Sequence, residues 1–170
     1  MYQNESIGYL ISVLYRKNQI YLNQALRPYD LSPAEMLVLH RLCTHGECSQ
    51  EEIAAHMMID KAAITRTVQA LEKKGWLTRQ KNESDKRMII LKPLQKAYDA
   101  QEDFLDIMKY WTSFLTEGLE TQKAEDFLKI LTSMQELVKN TDLQTINEKR
   151  LSRHSTDLSL QNIQLNKRRK

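Results

Sequence analysis

A chain of 170 residues with 41% hydrophobic and 28% charged residues is long enough for one well-buried domain with an appendage, and too apolar for a disordered chain. No apolar run approaches a membrane span and Met1-Tyr2-Gln3-Asn4-Glu5 lacks the pattern of a signal peptide, so no membrane association and a cytoplasmic location are expected. The net charge of +3 hides an uneven distribution: nine basic and three acidic residues lie between positions 61 and 92 and seven and two between 145 and 170, whereas 1–60 and 93–144 are net negative.

Glycine and proline are scarce, and apolar residues recur at steps of three and four, so a mainly α protein is expected. The first helix runs from about Glu5 to Leu26, with Ile7, Ile11, Leu14, Tyr21 and Ala25 on one side, and Pro28 stops it. That stripe requires a partner. Ser32-Pro33-Ala34-Glu35 is a helix start with a capping box and proline at the first turn; Met36, Leu39 and Cys43 then follow one face up to Gly46. Ser49-Gln50-Glu51-Glu52 opens a short helix in the same way, carrying Ile53 and Met57 inward. Asp60 caps the next helix, in which Ile64, Val68 and Leu71 share one side and Lys61, Thr65, Arg66, Gln69 and Lys73 the other. After Gly75 the period changes. Trp76–Arg79 and Met88–Leu91 read as two short strands joined by a polar loop from Gln80 to Arg87, a two-stranded wing. Leu94, Ala97, Gln101, Phe104, Met108, Trp111 and Leu115 form a seven-residue repeat in one long helix. Phe127, Ile130, Leu131, Met134, Leu137 and Val138 mark a last amphipathic helix, and both are candidates for subunit pairing.

A short helix, a turn, a helix with a polar outer face and a basic hairpin together form an architecture suited to double-stranded DNA, the second short helix entering the major groove. Ala62 and Ala63 are small enough for close approach to bases, and Arg66 and Gln69 long enough to read base edges. Lys61, Lys73 and Lys74 suit phosphates, and Lys81, Lys86 and Arg87 of the wing suit an adjacent minor groove.

From about Ile7 to Val138 the chain resembles the MarR family of transcriptional regulators. The resemblance is carried by Leu31-Ser32-Pro33-Ala34, by Ser49-Gln50-Glu51-Glu52-Ile53-Ala54, by Asp60-Lys61-Ala62-Ala63-Ile64-Thr65-Arg66 and by Leu71-Glu72-Lys73-Lys74-Gly75-Trp76-Leu77. Asp85-Lys86-Arg87 stands where the family has its Asp-x-Arg wing motif; the resemblance implies that Arg87 enters the minor groove and that Asp85 braces the wing. Ala63 replaces a frequent Ser or Thr, and Lys92 and Ala97 replace a common Thr and Gly.

The expectation is therefore an α+β winged helix-turn-helix over residues 31–92, a helical dimerisation region from 1–30 and 93–144, and a basic extension at 145–170. A homodimer would present two reading helices to a pseudo-palindromic operator. The other reading is a helical interaction module that uses the winged domain for a protein partner. The resemblance also implies a small aromatic or amphipathic effector between the dimer helices and the winged domain, with Tyr9, Tyr15, His40 and Tyr98 as candidate lining residues. His40, His45, His56, Cys43 and Cys48 match no closed zinc spacing, and neither a metal nor another cofactor is expected. Cys43 reads as a packed thiol, and Cys48, beside a turn and a helix start, as the better redox candidate. No Ser/His/Asp order, glycine-rich phosphate loop or HExxH motif points to an enzyme.

Overall fold

The computed structural model describes residues 6–82 and 88–152. Helix α1 (Ile7–Ala25) starts where the Ser6 hydroxyl accepts the Tyr9 N–H at 3.1 Å, and gives way to a 3-10 turn, Arg27–Tyr29, around Pro28. Helix α2 (Pro33–His45) has the expected reciprocal cap: Glu35 N–H donates to Ser32 Oγ at 3.3 Å and Ser32 N–H to Glu35 Oε2 at 2.6 Å. Helix α3 (Gln50–Met57) repeats it with Ser49 and Glu52. Met58, left-handed at φ 53°, turns the chain into α4 (Lys61–Lys73), whose first turn is closed by the Ala63 N–H donating to Asp60 Oδ1 at 2.9 Å. Gly75, at φ 70°, makes the sharp exit from α4 that a side chain would strain, while the Trp76 N–H donates back to the Leu71 carbonyl at 2.9 Å.

The wing differs from the expectation in strand number. Strands β1 (Cys48–Ser49), β2 (Leu77–Lys81) and β3 (Ile89–Pro93) form an antiparallel sheet in the order β1-β3-β2, with Cys48 opposite Leu91 and Leu77 opposite Pro93. Two residues carry no alternation, which is why β1 left no trace in the sequence pattern. Gln80 and Lys81 belong to β2 rather than to a loop, and residues 83–87 lie outside the described residues.

The seven-residue repeat is not one helix and is only partly free for pairing. It divides into α5 (Gln95–Asp99) and α6 (Gln101–Leu115), with Ala100 at the junction, and Ala97, Ala100 and Phe104 are buried in the chain's own core. Phe104 packs 6.1 Å from Trp76 and edge-on to Tyr29 at 5.4 Å. A repeat announces an apolar seam but not which surface will cover it.

The chain divides into two compact units, Met1–Glu117 and Gly118–Lys170. The first holds a core in which Leu22 and Leu26 meet Met36, Leu39, Leu42, Ile53, Ile64, Val68, Leu71 and Leu91. Further along α1, Ile7, Ile11 and Leu14 remain exposed, whereas Tyr21 stacks on Trp111 at 5.1 Å and donates its hydroxyl to the Ile107 carbonyl at 3.0 Å. In the second unit α7 (Thr121–Lys139) leaves Phe127, Ile130, Leu131, Leu137 and Val138 exposed. Residues 143–152 are helical, opened by Asp142, which accepts the Gln144 N–H at 2.9 Å; this helix reaches into the expected basic extension.

One ion pair ties the two ends of the helix-turn-helix together. Lys74 Nζ donates to both oxygens of Glu35, at 2.9 and 3.0 Å, and to the Asp30 carbonyl at 2.7 Å; the Glu35 side chain is 6% exposed and that of Lys74 28%. Lys74, assigned to phosphates on sequence grounds, is thus a brace. Lys74→Met is expected to cost about 2 kcal/mol of unfolding free energy by urea denaturation, because it strands a buried carboxylate.

Tyr29 donates its hydroxyl to Asp103 Oδ2 at 2.6 Å, and this bond, with some burial, pushes the phenol up to about 12. A pKa raised above the unfolded value gives stability that is complete below it and lost as pH rises through the folded one. Tyr29→Phe is therefore expected to be less stable by about 1 kcal/mol at neutral pH, with the gap closing toward about pH 12 in a series of alkaline urea titrations.

Candidate nucleic-acid interface

Helix α4 buries Ile64, Val68 and Leu71 and turns Lys61, Ala62, Arg66, Gln69 and Lys73 outward, with Ala63 and Thr65 half-buried at the edges. The exposed residues are the stripe that helical periodicity predicts. Thr65 is less available than its sequence position suggests: its hydroxyl donates to the Lys61 carbonyl at 2.8 Å and faces Gln50 Oε1 at 3.4 Å. Gln50, the first residue of α3, was read from the sequence as part of the helix start and not as a neighbour of the polar face of α4.

Pairing sorts the charges of this region. Asp60 is engaged by the helix cap, and Glu72 by Arg79, which donates to it from Nε at 2.8 Å and lies 2.6 Å away through Nη2. Lys92 of β3 pairs at 3.0 Å with Glu47, the residue before β1. Arg79, Lys92 and Lys74 therefore brace the winged lobe. Lys61, Arg66, Lys73 and Lys81 have no ion pair or side-chain hydrogen bond among the described residues. The outward face of α4 is cationic, its one acid, Glu72, is paired with Arg79, and Asp60 is held in the cap, a pattern that suits a phosphate backbone.

The strand β2 carries Lys81, exposed, at its far end. Asp85, Lys86 and Arg87, the sequence-derived wing tip, lie outside the described residues. A polar cleft of about 250 Å³ opens between Glu47, Gln80, Lys81, Asn82, Ile90 and Lys92. By strand alternation Gln80, Ile90 and Lys92 share the face of the sheet opposite buried Leu77 and Leu91.

The four candidate effector residues lie on three helices, Tyr9 and Tyr15 on α1, His40 on α2 and Tyr98 on α5. Tyr9 and Tyr15 are exposed and, six positions apart on α1, point about 120° away from one another. Tyr98 is exposed on α5. Among the described residues His40 is the one of the four hydrogen-bonded to another element, its Nδ1 lying 2.7 Å from Gln101 Nε2 on α6, and burial pulls its imidazole below the usual histidine range, helped by His45. The redox reading of Cys48 is corrected: the side chain sits in β1 at 7% exposure, and burial pushes its thiol up, the direction opposite to a reactive thiolate. Cys43 is half-buried and its thiol is raised for the same reason. None of the helices among the described residues is long and apolar enough to cross a membrane.

A three-helix unit closed by a small antiparallel sheet, with a cationic polar face on its second short helix, is a winged helix-turn-helix DNA-binding protein. Residues 31–89 match the MarR family. Among curated proteins the chain is similar to the HTH-type transcriptional repressor MdtR of Bacillus subtilis (strain 168), 30% identical over 124 residues that make up 71% of this chain and 80% of that protein. Among solved structures it is similar to a MarR transcriptional regulator from Methanosarcina mazei Go1, with 28% identity, a TM-score of 0.72 and coverage of 76% of this chain and 94% of the other. It also shares the fold of BpsR of Bordetella bronchiseptica, whose structure describes regulation of DNA binding by 6-hydroxynicotinic acid, at 19% identity, a TM-score of 0.72 and coverage of 84% and 99%. The chain belongs to the MarR family of DNA-binding transcriptional regulators, which are not enzymes.

Substitutions on the two cationic elements should separate reading from anchoring. Arg66→Ala is expected to reduce discrimination between operator variants by about 1–3 kcal/mol, whereas Lys81→Ala weakens binding to all sequences and lowers the salt slope by about one. Fluorescence anisotropy titrations at several salt concentrations measure both.

Proposed function

We propose that the protein acts as a homodimeric repressor on a pseudo-palindromic operator and is released from DNA by a small aromatic or amphipathic effector. The cationic outer face of α4 carries this reading. Lys61, Ala62, Ala63, Arg66, Gln69 and Lys73 are the proposed groove and phosphate contacts of that helix, with Thr65 at its edge. Lys81, Asp85, Lys86 and Arg87 are those of the wing. Residues 31–92 form the proposed DNA-binding part, 1–30 and 93–144 the dimerisation part, and 145–170 an added basic extension.

Pairing is supported by the apolar residues that the single chain leaves in solvent. Ile7 is 64% exposed and Ile11 46%, and Phe127, Ile130 and Leu131 on α7 are also uncovered. Exposed apolar side chains on each of these helices favour burial against another surface, and a two-fold dimer also sets two reading helices about one DNA turn, roughly 34 Å, apart. The repressor reading is supported by likeness to MdtR, named a repressor. The effector reading is supported by the likeness to BpsR, which 6-hydroxynicotinic acid regulates. Its proposed site lies around His40, with Tyr9, Tyr15 and Tyr98 as further lining residues; the cytoplasm is its proposed location.

A charged residue in the uncovered stripe tests the assembly. Ile11→Glu is expected to sediment as a monomer at micromolar concentration, to keep its helical circular dichroism and to lose about a hundredfold or more in affinity for a two-half-site operator fragment. A variant that remains dimeric, or a parent chain that sediments as a monomer, counts against pairing. A mobility-shift titration without salt-dependent binding to duplex DNA would instead favour a protein partner for the winged domain.

A further inference from the structure

Within the winged lobe the fold brings together two histidines whose spacing matches no closed zinc motif. His45 lies in the last turn of α2 and His56 in the last turn of α3, and their ring centroids are 6.2 Å apart with the planes tilted by 50°. Both residues are exposed, so an ion reaches them directly from solvent. The Thr44 hydroxyl orients the first ring. Its single proton goes to the His40 carbonyl at 2.7 Å, so in the 2.7 Å contact between Thr44 Oγ1 and His45 Nδ1 the ring N–H is the donor. Nε2 of His45 is left with its lone pair, the form in which an imidazole ligates a metal. The helix ends contribute independently: the last carbonyls of a helix carry about half a negative charge, so the final turns of α2 and α3 each favour a cation beside them.

We propose that His45 and His56 form a two-imidazole site for a divalent transition-metal ion of the nickel, copper and zinc group, bridging the C-terminal ends of α2 and α3. Two imidazoles whose nitrogens lie about 2.1 Å from one ion have centroids about 5 Å apart at a tetrahedral angle. The pair therefore closes on an ion by a shift of about 1 Å, within the rotamer freedom of exposed side chains. Among the described residues no group of three His, Cys, Asp or Glu side chains is placed to hold an ion, so water fills the other coordination positions. Nitrogen ligands with water suit nickel, copper and zinc, whereas magnesium and calcium take oxygen ligands. The site does not rest on the DNA or effector readings. An ion held there ties α2 to α3, the two helices that pack against α4.

The test titrates nickel(II) chloride into the full chain by isothermal titration calorimetry, with magnesium chloride as the control. One nickel ion per chain is expected to bind with a dissociation constant of about 10 µM, and magnesium not at all. His45→Asn and His56→Asn are each expected to weaken nickel binding about tenfold or more, whereas His154→Asn, outside the described residues, leaves it unchanged. Thr44 is a positioning residue, so Thr44→Val is expected to weaken binding about threefold or more and Thr44→Ser to retain it. Nickel at about 1 mM is expected to raise the melting temperature of the parent by about 5 °C and that of the His45→Asn/His56→Asn double variant not at all. No nickel binding tighter than millimolar, equal binding of magnesium, undiminished affinity in either histidine variant, loss of binding only in His154→Asn, or equal stabilisation of the double variant would each overturn the site. Undiminished affinity in Thr44→Val would overturn the orienting role of its hydroxyl.

Discussion

The position of α4 depends on one buried carboxylate. Glu35 closes the cap of α2 through the Ser32 N–H, and the same carboxylate receives Lys74 from the end of α4. Lys74 also reaches the carbonyl of Asp30, a residue held in the left-handed region at φ 53°. A carboxylate this deeply placed requires a cation, since an unpaired buried charge is far more costly than the pair. The start of α2, the end of α4 and the turn before α2 are therefore fixed relative to one another by a single group. The apolar packing of Met36, Leu39, Val68 and Leu71 supplies most of the cohesion, but it is non-directional; the ion pair supplies direction.

The same principle separates the remaining charges. The segment 61–92 is strongly basic in sequence, yet Lys74, Arg79 and Lys92 are each matched by an acid of the lobe. These pairs hold α2 to α4, α4 to β2 and β3 to the approach of β1. Arg79–Glu72 and Lys92–Glu47 are partly solvated and contribute little stability individually. Their consequence is electrostatic: they withdraw Glu72 and Glu47 from competition with an incoming phosphate. Lys61, Arg66, Lys73 and Lys81, which have no acid partner among the described residues, lie on the outer face of α4 and at the end of β2. The helix proposed to read base edges and the strand proposed to meet phosphate each keep cations that no acid of the described residues engages.

Family membership and the uncovered apolar residues describe one physical situation from two sides. Leu22 and Leu26 join α1 to the core of the winged lobe, and Ala97 and Phe104 join α5 and α6 to it. The N-terminal half of α1 has no such cover. Along α6, Tyr21 of α1 stacks on Trp111, which in turn lies 5.6 Å from exposed Phe114, so an aromatic ladder leads from packed interior to open surface. The winged lobe is thus packed against α1 and α6, two of the helices proposed to pair.

Much of this was written in local sequence. The two capping boxes, the Asp60 cap, the Ile64, Val68 and Leu71 stripe and the exit at Gly75 are interactions among residues at most a few positions apart, so their spacing alone determined α2, α3, α4 and the polar face of the reading helix. Other features depend on partners distant in the chain. That Lys74 braces α4 against α2, that Cys48 is buried in a third strand, and that the Leu94 to Leu115 repeat breaks at Ala100 and turns inward were decided by tertiary packing. Periodicity specifies which face of an element is apolar or charged, but the identity of the surface that meets that face is set only when the elements pack.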